Sequence, residues 1–307
     1  MRIAIIGAGG VGGYFGARLQ AAGSDVAFVA RGQHLDALKA TGLRLQSPRG
    51  DLHLRRVTAT DNPATIGPTD VVLVTVKMYD LETAAATLEP LVGPNTAVVT
   101  LQNGVEAVDM VAQRVGRTHV VGGVAYVAAV IAEPGLIRHT SLDSLIFGEL
   151  DGHHSDRLAE LEAACQRAGF SARVSDQIEV DLWAKFARLS VFSGMTAVTR
   201  SPMGVLRSDP ELRAMLVAAC EETIRVGRAR GVALPDRLMG EILQMVDGLP
   251  PHAKASMLED LERGRRLELP WLSGAVVRLG LATGVATPIH AFIATVLKPH
   301  VNGSLAA

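Results

Sequence analysis

The stretch MRIAIIGAGGVGGYFGARL (residues 1–19) begins with a short apolar run, continues as a cluster of glycines and ends in a helix-like segment. A strand, a glycine-rich turn and a helix in this order are the context in which G-x-G-x-x-G marks a dinucleotide-binding turn. We expect Gly7 to permit the tight turn, Gly9 to let the backbone approach a pyrophosphate, and Gly12 to let the helix pack closely on the strand. A glycine-rich turn without a ligand is the alternative. The predicted cofactor-binding turn consists of Gly7, Ala8, Gly9, Gly10, Val11 and Gly12.

The second strand candidate indicates which dinucleotide binds. NAD sites usually carry an acidic residue at the end of this strand, where it binds the ribose 2′-hydroxyl. In DVAFVARG (residues 25–32) the acid Asp25 lies at the opposite end, and Arg31 stands at the tip. A guanidinium group offers paired donors to a 2′-phosphate. We therefore predict NADP(H), with a solvated loop charge as the alternative role for Arg31.

Length and composition exclude several classes of protein. The 307 residues suffice for two domains, and a formal net charge of -1 gives no electrostatic case for a nucleic-acid or anionic-membrane partner. No apolar run approaches the roughly 20 residues of a spanning helix, and the start lacks a signal-peptide pattern, so we expect no membrane association. Two cysteines, Cys165 and Cys220, are typical of buried thiols in a reducing cytoplasm. The nine histidines show no metal-ligand spacing, and we predict no metal.

Hydrophobic patterning predicts two domains. Short apolar runs alternate with helix-like segments up to about Gly148, which indicates a doubly wound parallel sheet. The predicted strands are RIAIIG, DVAFVA, VVLVTV, TAVVTLQ and VVGGVAYVAAVI, and GLIRHTSLDSLIFGEL (135–150) is predicted as an antiparallel hairpin at the sheet edge. Beyond about residue 177 only helices are predicted, over 179–198, 209–230, 235–246, around 256–284, and 288–297.

The resulting fold class is α/β, an N-terminal Rossmann doubly wound sheet followed by an all-helical C-terminal domain. We expect an NADP-binding domain over residues 1–175 and a helical substrate and catalytic domain over 176–307. The boundary is expected near 172–178, and the crevice between the domains is the expected ligand site.

Polar residues at strand ends and on helices are the remaining candidates. Lys77 and Asn103-Gly104 each follow an apolar strand, at the edge where such folds bind ligands; a simple turn is the alternative for Asn103-Gly104. Lys185 lies on a predicted helix beside Trp183, where a snorkelling surface lysine is the alternative. The charged segment KASMLEDLERGRRLE (254–268) is a second candidate, with a solvated helix face as its alternative.

Taken together, the motifs resemble the ketopantoate reductases (2-dehydropantoate 2-reductases), in order through nearly the whole chain. The resemblance rests on G-x-G-x-x-G, Arg31, Val76-Lys77, Gln102-Asn103-Gly104, Leu182-Trp183-x-Lys185, Ser256-Met257-Leu258-x-Asp260 and Gly264-Arg265-x-x-Glu268. It implies a Rossmann domain followed by a helical domain, and transfer of the pro-S hydride of NADPH to the carbonyl carbon of a 2-keto acid.

The resemblance also implies roles for individual residues. Lys185 would be the proton donor, and Glu268 would form hydrogen bonds near it and the nicotinamide. Asn103 would contact the nicotinamide ribose and the substrate, and Ser256 would hold the substrate carboxylate. Ala128 would lie against the cofactor.

The distance between Ser256 and Glu268 limits whether both residues can contact one small substrate. In a single straight helix over 256–268, Ser256 and Glu268 would be ~18 Å apart. We therefore expect Ser256 to precede the helix or Gly264 to bend it.

Three positions depart from the family pattern. Asparagines that surround the distal hydroxyl of ketopantoate in the family correspond here to Leu189, Ser193 and Met203. The usual Thr-Glu-Ile-Asp reads Leu267-Glu268-Leu269-Pro270. Because a site built to bind a hydroxyl discriminates strongly and an apolar pocket does not, we expect a 2-keto acid, or a related carbonyl compound, with an apolar or aromatic tail.

Two alternatives stay open. The first is ketopantoate reductase proper, which serves pantothenate and coenzyme A biosynthesis, with Ser193 supplying the lost hydrogen bond. The second is a non-catalytic NADPH-sensing module, which would keep the glycine turn and Arg31 but has no need of Lys185 with Glu268. The high apolar content is compatible with a homodimer.

Overall fold

A computed structural model of the chain describes residues 1–304. The chain divides into two units, each with its own contacts: Met1–Gln102 with Glu106–Asp181, and Asn103–Val105 with the chain from Leu182 onward. The division lies a few residues beyond the expected 172–178, because the first turn of a long helix belongs to the first unit. The predicted domains did not place Asn103–Val105 with the second unit. The last three residues of the predicted second domain (176–307) lie outside the described part of the chain.

The first unit is built on one sheet. Within residues 1–304 its strands are β1 Arg2–Ile6, β2 Asp25–Val29, β3 Leu43–Gln46, β4 Leu52–Leu54, β5 Thr58–Thr60, β6 Thr69–Val74, β7 Val92–Thr100, β8 Val120–Glu133, β9 Leu136–Glu149 and β10 Ser171–Val174. They are ordered β4-β3-β9-β8-β7-β6-β1-β2-β5, with β10 beside β9. The central pairs from β2 to β8 are parallel, which confirms the doubly wound Rossmann sheet. Within this centre β1, β2 and β6 are buried on both faces over nearly their whole length, as their near-continuous apolar runs predict.

The antiparallel pairing predicted for residues 135–150 is confirmed, but the segment forms the single strand β9 and its predicted place at the sheet edge is wrong. β8 and β9 are antiparallel partners over almost their whole length. β9 is then covered on its other side by β3 at its start and by β10 at its end, both parallel to it. A long exposed edge would leave a row of unpaired backbone groups. Two short strands that the sequence pattern did not reveal fill that edge.

Helices cover the sheet of the first unit. They are α1 Gly10–Ala21, α2 Gly32–Thr41, α3 Met78–Ala85, α4 Ala107–Val115 and α5 Asp156–Arg167. α1 begins directly after the glycine turn, and its buried face includes Tyr14 and Phe15. The hydrophobic core of this unit lies between these helices and the apolar side chains of the central strands.

The second unit is helical in its described part, as predicted. Its helices are α6 Ile178–Thr199 (first turn in the first unit), α7 Met203–Ser208, α8 Pro210–Ala229, α9 Leu238–Gly248, α10 Ser256–Glu262, α11 Ser273–Thr283 and α12 Pro288–Leu297. No helix within residues 1–304 is both long enough and apolar enough to cross a bilayer.

The predicted continuous stretch around 256–284 is broken. Gly264 has a positive φ of 63°, and the Arg265 amide donates back to the Asp260 carbonyl at 2.8 Å. This is a helix-ending geometry that favours glycine. Ser256 therefore opens the short helix α10 and Gly264 ends it, so residues 256–268 do not form the straight helix that would separate Ser256 from Glu268 by ~18 Å.

A buried polar network joins α6 to its neighbours. The hydroxyl groups of Ser190 and Thr223 lie 3.4 Å apart, and Thr223 lies 2.9 Å from Nε2 of His290. Burial lowers the pKa of His290 to about 4, so its imidazole is neutral at neutral pH. These contacts link α6, α8 and α12, and they fix the helix that carries Lys185.

Candidate functional site

The glycine turn of the first unit has the geometry its motif predicts. Gly7 has a φ of 99°, a left-handed conformation that favours glycine. The amides of Gly7 and Ala8 both donate to the Val29 carbonyl at 3.1 Å, which ties the turn to the end of β2. A Cβ on Gly12 would overlap the Gly7 carbonyl and the Thr75 side chain, so α1 packs on the strands at backbone distance. The first amides of α1 are thus presented beyond β1, where a helix N-terminus attracts anions.

Gly9 leaves open space beside the turn. A Cβ built there would meet no atom within 4 Å among the described residues. A cavity of about 220 Å³ adjoins the turn, and its lining includes Gly7, Ala8, Gly9, Arg31, His34, Asp61, Pro63, Asp80, Thr87 and Ile131. The turn and Arg31 therefore share one cavity. Gly10 and Val11 continue from the turn into the first turn of α1.

The other cofactor candidates of the first unit lie on neighbouring strands. Lys77 is the residue before α3 and is partly buried. The Gln102 side chain donates to the carbonyls of Val74 and Val76 at 2.9 and 3.1 Å, which joins the ends of β6 and β7. Ala128 lies in β8 and is partly buried. Neither Lys77 nor Ala128 lines the cavity beside the glycine turn, and their roles stay predictions.

Three predicted residues come together in the second unit. Glu268 is 4% exposed, although its charged neighbours in the sequence suggested a solvated helix face. Nδ2 of Asn103 donates to Oε2 of Glu268 across 3.4 Å, and the Glu268 carboxylate acts electrostatically on Lys185. Gly104, with a φ of 102°, packs near the Trp271 carbonyl. A short segment after β7 therefore belongs with the helices and carries Asn103 to Glu268.

Lys185 has an unusual electrostatic environment. As a residue it is partly exposed, but its ammonium group is enclosed enough that burial lowers its pKa to about 8. The Glu268 carboxylate raises this pKa and the Arg188 guanidinium lowers it. An amine with a pKa near 8 holds a proton at neutral pH and releases it readily, which suits a proton donor.

The predicted substrate residues differ in accessibility. Leu189 is partly exposed one turn beyond Lys185, and Ser256 is exposed at the start of α10. Ser193 and Met203 are fully buried. The Ser193 hydroxyl lacks a hydrogen-bond partner among the described residues. Contact of these four residues with a substrate stays a prediction.

Three residues of interest were missed by sequence reasoning. Asp61 and His34 line the cavity with Arg31, and Arg188 acts on Lys185. Asp61 follows a three-residue strand that had no recognisable pattern. Arg188 had a signal, because residues three apart on a helix share a face. Within residues 1–304 no group of three or more His, Cys, Asp or Glu side chains has a metal-binding arrangement.

Comparison with known proteins identifies the family. The family model described as "Ketopantoate reductase PanE/ApbA" matches residues 3–152, and its C-terminal counterpart matches residues 177–301. A 2-dehydropantoate 2-reductase of Mesorhizobium japonicum is 36% identical over 320 residues, covering 97% of each chain. The crystal structure of a PanE/ApbA family ketopantoate reductase from Ralstonia eutropha has a TM-score of 0.90 at 34% identity, covering 98% of each chain. A 2-dehydropantoate 2-reductase from Geobacter metallireducens, also a crystal structure, has a TM-score of 0.90 at 32% identity, covering 97% of this chain and 99% of its own.

These matches span both units of the chain. The chain belongs to the ketopantoate reductase family, and it is an oxidoreductase of the 2-dehydropantoate 2-reductase type that acts on a keto group.

Proposed function

We propose that this protein uses NADPH to reduce a 2-keto acid that has an apolar tail, with Lys185 as the proton donor. The observation that carries the proposal is the enclosed Lys185 ammonium group, which burial brings to a pKa of about 8 beside the buried Glu268 carboxylate. A non-catalytic NADPH sensor would need neither group. Turnover of NADPH with a panel of 2-keto acids tests the proposal. The sensor alternative would be supported by tight NADPH binding without oxidation.

The residues of the first unit fit a phosphorylated dinucleotide. The open side of Gly9 and the first amides of α1 provide a place for a diphosphate. Arg31, exposed in the same cavity, would pair with a 2′-phosphate. Asp61 lines that cavity too, and its carboxylate opposes a phosphate there. We propose that Arg31 outweighs Asp61 because a guanidinium group donates in pairs to phosphate oxygens, whereas a carboxylate in water acts only through a screened charge.

The residues of the second unit supply the remaining chemistry. The bound cofactor, when reduced, supplies a hydride to the carbonyl carbon. The developing negative charge on the carbonyl oxygen is stabilised by the Lys185 ammonium group, which then donates a proton to that oxygen. Glu268 keeps Lys185 protonated by raising its pKa. Asn103 holds Glu268 through its side-chain amide, and Ser256 is proposed to bind the substrate carboxylate.

The pH dependence of kcat follows from these charges. Because the donor must be protonated, kcat falls as pH rises through about 8 in the wild type. Glu268→Gln removes the charge that raises the Lys185 pKa, so we expect the alkaline limb to move to lower pH. Arg188→Leu removes the charge that lowers it, and the limb moves to higher pH. Measuring kcat at saturating substrates from pH 6 to 10 checks both shifts. If the alkaline limbs of the two variants moved in the same direction, or if neither moved, Lys185 would not be the titrating group.

The substrate tail is proposed to be apolar because Leu189 lies on the same helix face as Lys185, one turn further on. We expect kcat/KM for phenylpyruvate or a branched 2-keto acid to exceed that for ketopantoate by about 10-fold or more, since an apolar pocket gives no advantage to a hydroxyl. Initial rates of NADPH oxidation with each acid provide the measurement. A hundredfold preference for ketopantoate would overturn this assignment.

Ketopantoate reductase proper is the second candidate, and one observation favours it. The Ser193 hydroxyl is buried without a hydrogen-bond partner in the described chain, and buried polar groups normally have one. A substrate hydroxyl would supply that partner. In this case Ser193→Ala should lower kcat/KM for ketopantoate and leave that for phenylpyruvate unchanged.

The cellular location is proposed from the state of the two cysteines. Cys165 and Cys220 are both buried free thiols, as expected in a reducing cytoplasm, and we propose a cytoplasmic enzyme. A homodimer stays a prediction.

A further inference from the structure

His34 lies in the cavity beside the glycine turn, one helical turn after Arg31. Its Nδ1 accepts a hydrogen bond from the Gly135 amide at 3.1 Å. Gly135 is in the two-residue turn between β8 and β9, about 100 positions further along the chain. One side chain therefore joins the start of α2 to the end of the β8–β9 hairpin.

The hydrogen bond defines the state of the imidazole. Because Nδ1 accepts, the ring proton is on Nε2. Nε2 is buried and has no hydrogen-bond partner that meets the distance and angle limits among the described residues. The backbone of Ala8 lies near the ring and raises the pKa of His34. Burial outweighs this effect and keeps the pKa of His34 below its ordinary value. At neutral pH the ring is thus neutral and able to accept from Gly135.

The hairpin held by His34 forms part of the cavity wall. Ile131, near the end of β8, lines the same cavity. A Cβ on Gly10 would overlap the Ala129 carbonyl, so β8 passes over the first turn of α1 at backbone distance. A Cβ on Gly13 would come within 2.6 Å of the Ile137 side chain at the start of β9. The hairpin and the glycine turn are therefore in direct contact.

We propose that His34 is a positioning residue of the dinucleotide site, which holds the β8–β9 hairpin against α2 so that the cavity wall is in place before the dinucleotide binds. The inference rests on the proposed NADPH binding. Without the hydrogen bond, the hairpin end has to be ordered when the ligand binds, and ordering costs affinity. The chemical step does not involve His34, so kcat at saturating NADPH is spared.

Two variants of nearly equal shape separate the hydrogen bond from packing. His34→Leu has no acceptor, whereas His34→Asn places an amide oxygen close to the position of Nδ1. We expect His34→Leu to raise the Kd for NADPH, measured without substrate, roughly 10-fold with kcat changed less than twofold. We expect His34→Asn to stay within threefold of the wild-type Kd. His154→Leu, at an exposed histidine of the same unit outside the cavity lining, is the matched control.

Amide hydrogen exchange at Gly135 in the cofactor-free protein is the second measurement. It should accelerate in His34→Leu and be restored in His34→Asn. Equal Kd values for the two variants, or unchanged exchange in His34→Leu, would overturn the inference. A wild type that does not bind NADPH would overturn the proposed function and the positioning role together, and the exchange data would still show whether the hydrogen bond exists.

Discussion

Lys185→Met lowers kcat about 10³-fold and changes the Kd for NADPH less than threefold. Methionine keeps the length and the apolar stem of lysine but has no proton to donate and no positive charge. A positioned general acid contributes roughly 10²–10⁴-fold, and here the same ammonium group also stabilises the developing oxyanion. Single-turnover NADPH oxidation and a separate binding titration provide the two readouts.

The control for this variant is Lys254→Met, which removes an exposed lysine that pairs with Glu262 in the same unit. We expect it to retain wild-type kcat. If Lys185→Met kept more than a tenth of the wild-type kcat, another group would have to protonate the product. If its affinity for NADPH fell as far as its kcat, Lys185 would be a binding residue and not the acid.

Arg31→Ala raises KM for NADPH roughly 10- to 100-fold and changes KM for NADH less than threefold. The expected size follows from losing a charge-assisted hydrogen-bond pair to a phosphate dianion. NADH lacks that phosphate, so the same substitution changes the binding of NADH little. Initial rates at varied cofactor and constant keto acid give both KM values, and their ratio is the selectivity.

Asp61→Asn is the opposing variant in the same cavity. Removing a carboxylate that repels the phosphate should lower KM for NADPH a few-fold, with an effect that shrinks at high salt because exposed charges are screened. Arg55→Ala, at an exposed arginine of the same unit outside the cavity lining, should leave both constants unchanged. If Arg31→Ala weakened NADPH and NADH equally, the cofactor would not be recognised by its 2′-phosphate.

Local patterns in the sequence were enough to predict the central sheet and the glycine turn. Buried parallel strands such as β1 and β6 are recognisable because both faces require apolar residues. The strands β3, β4, β5 and β10 are three or four residues long, and none was predicted. Segments this short contain too few residues to show a period. Where these short strands pair depends on longer strands whose backbone groups would otherwise be unpaired: β3 and β10 both pair with β9.

In the candidate site, too, some features were predictable from local sequence and others were not. Lys185 and Glu268 were assigned through a resemblance, because taken alone a lysine on a helix and a glutamate in a charged run are typical of solvated surfaces. In the folded protein Glu268 is buried, and the Asn103 side chain that donates to it is 165 positions away in the chain. No local pattern contains that information.

By itself, then, the sequence determined that the chain begins with a strand, a glycine-rich turn and a helix, that an arginine ends the second strand, and that helices follow the sheet. These features depend on backbone sterics and hydrophobic period, which act between residues close in the chain. Only the tertiary structure decided that Asp61 and His34 share a cavity with Arg31, and that Lys185 has a pKa of about 8. Charge, desolvation and hydrogen bonding act across space, and the packing of distant segments sets which groups they join.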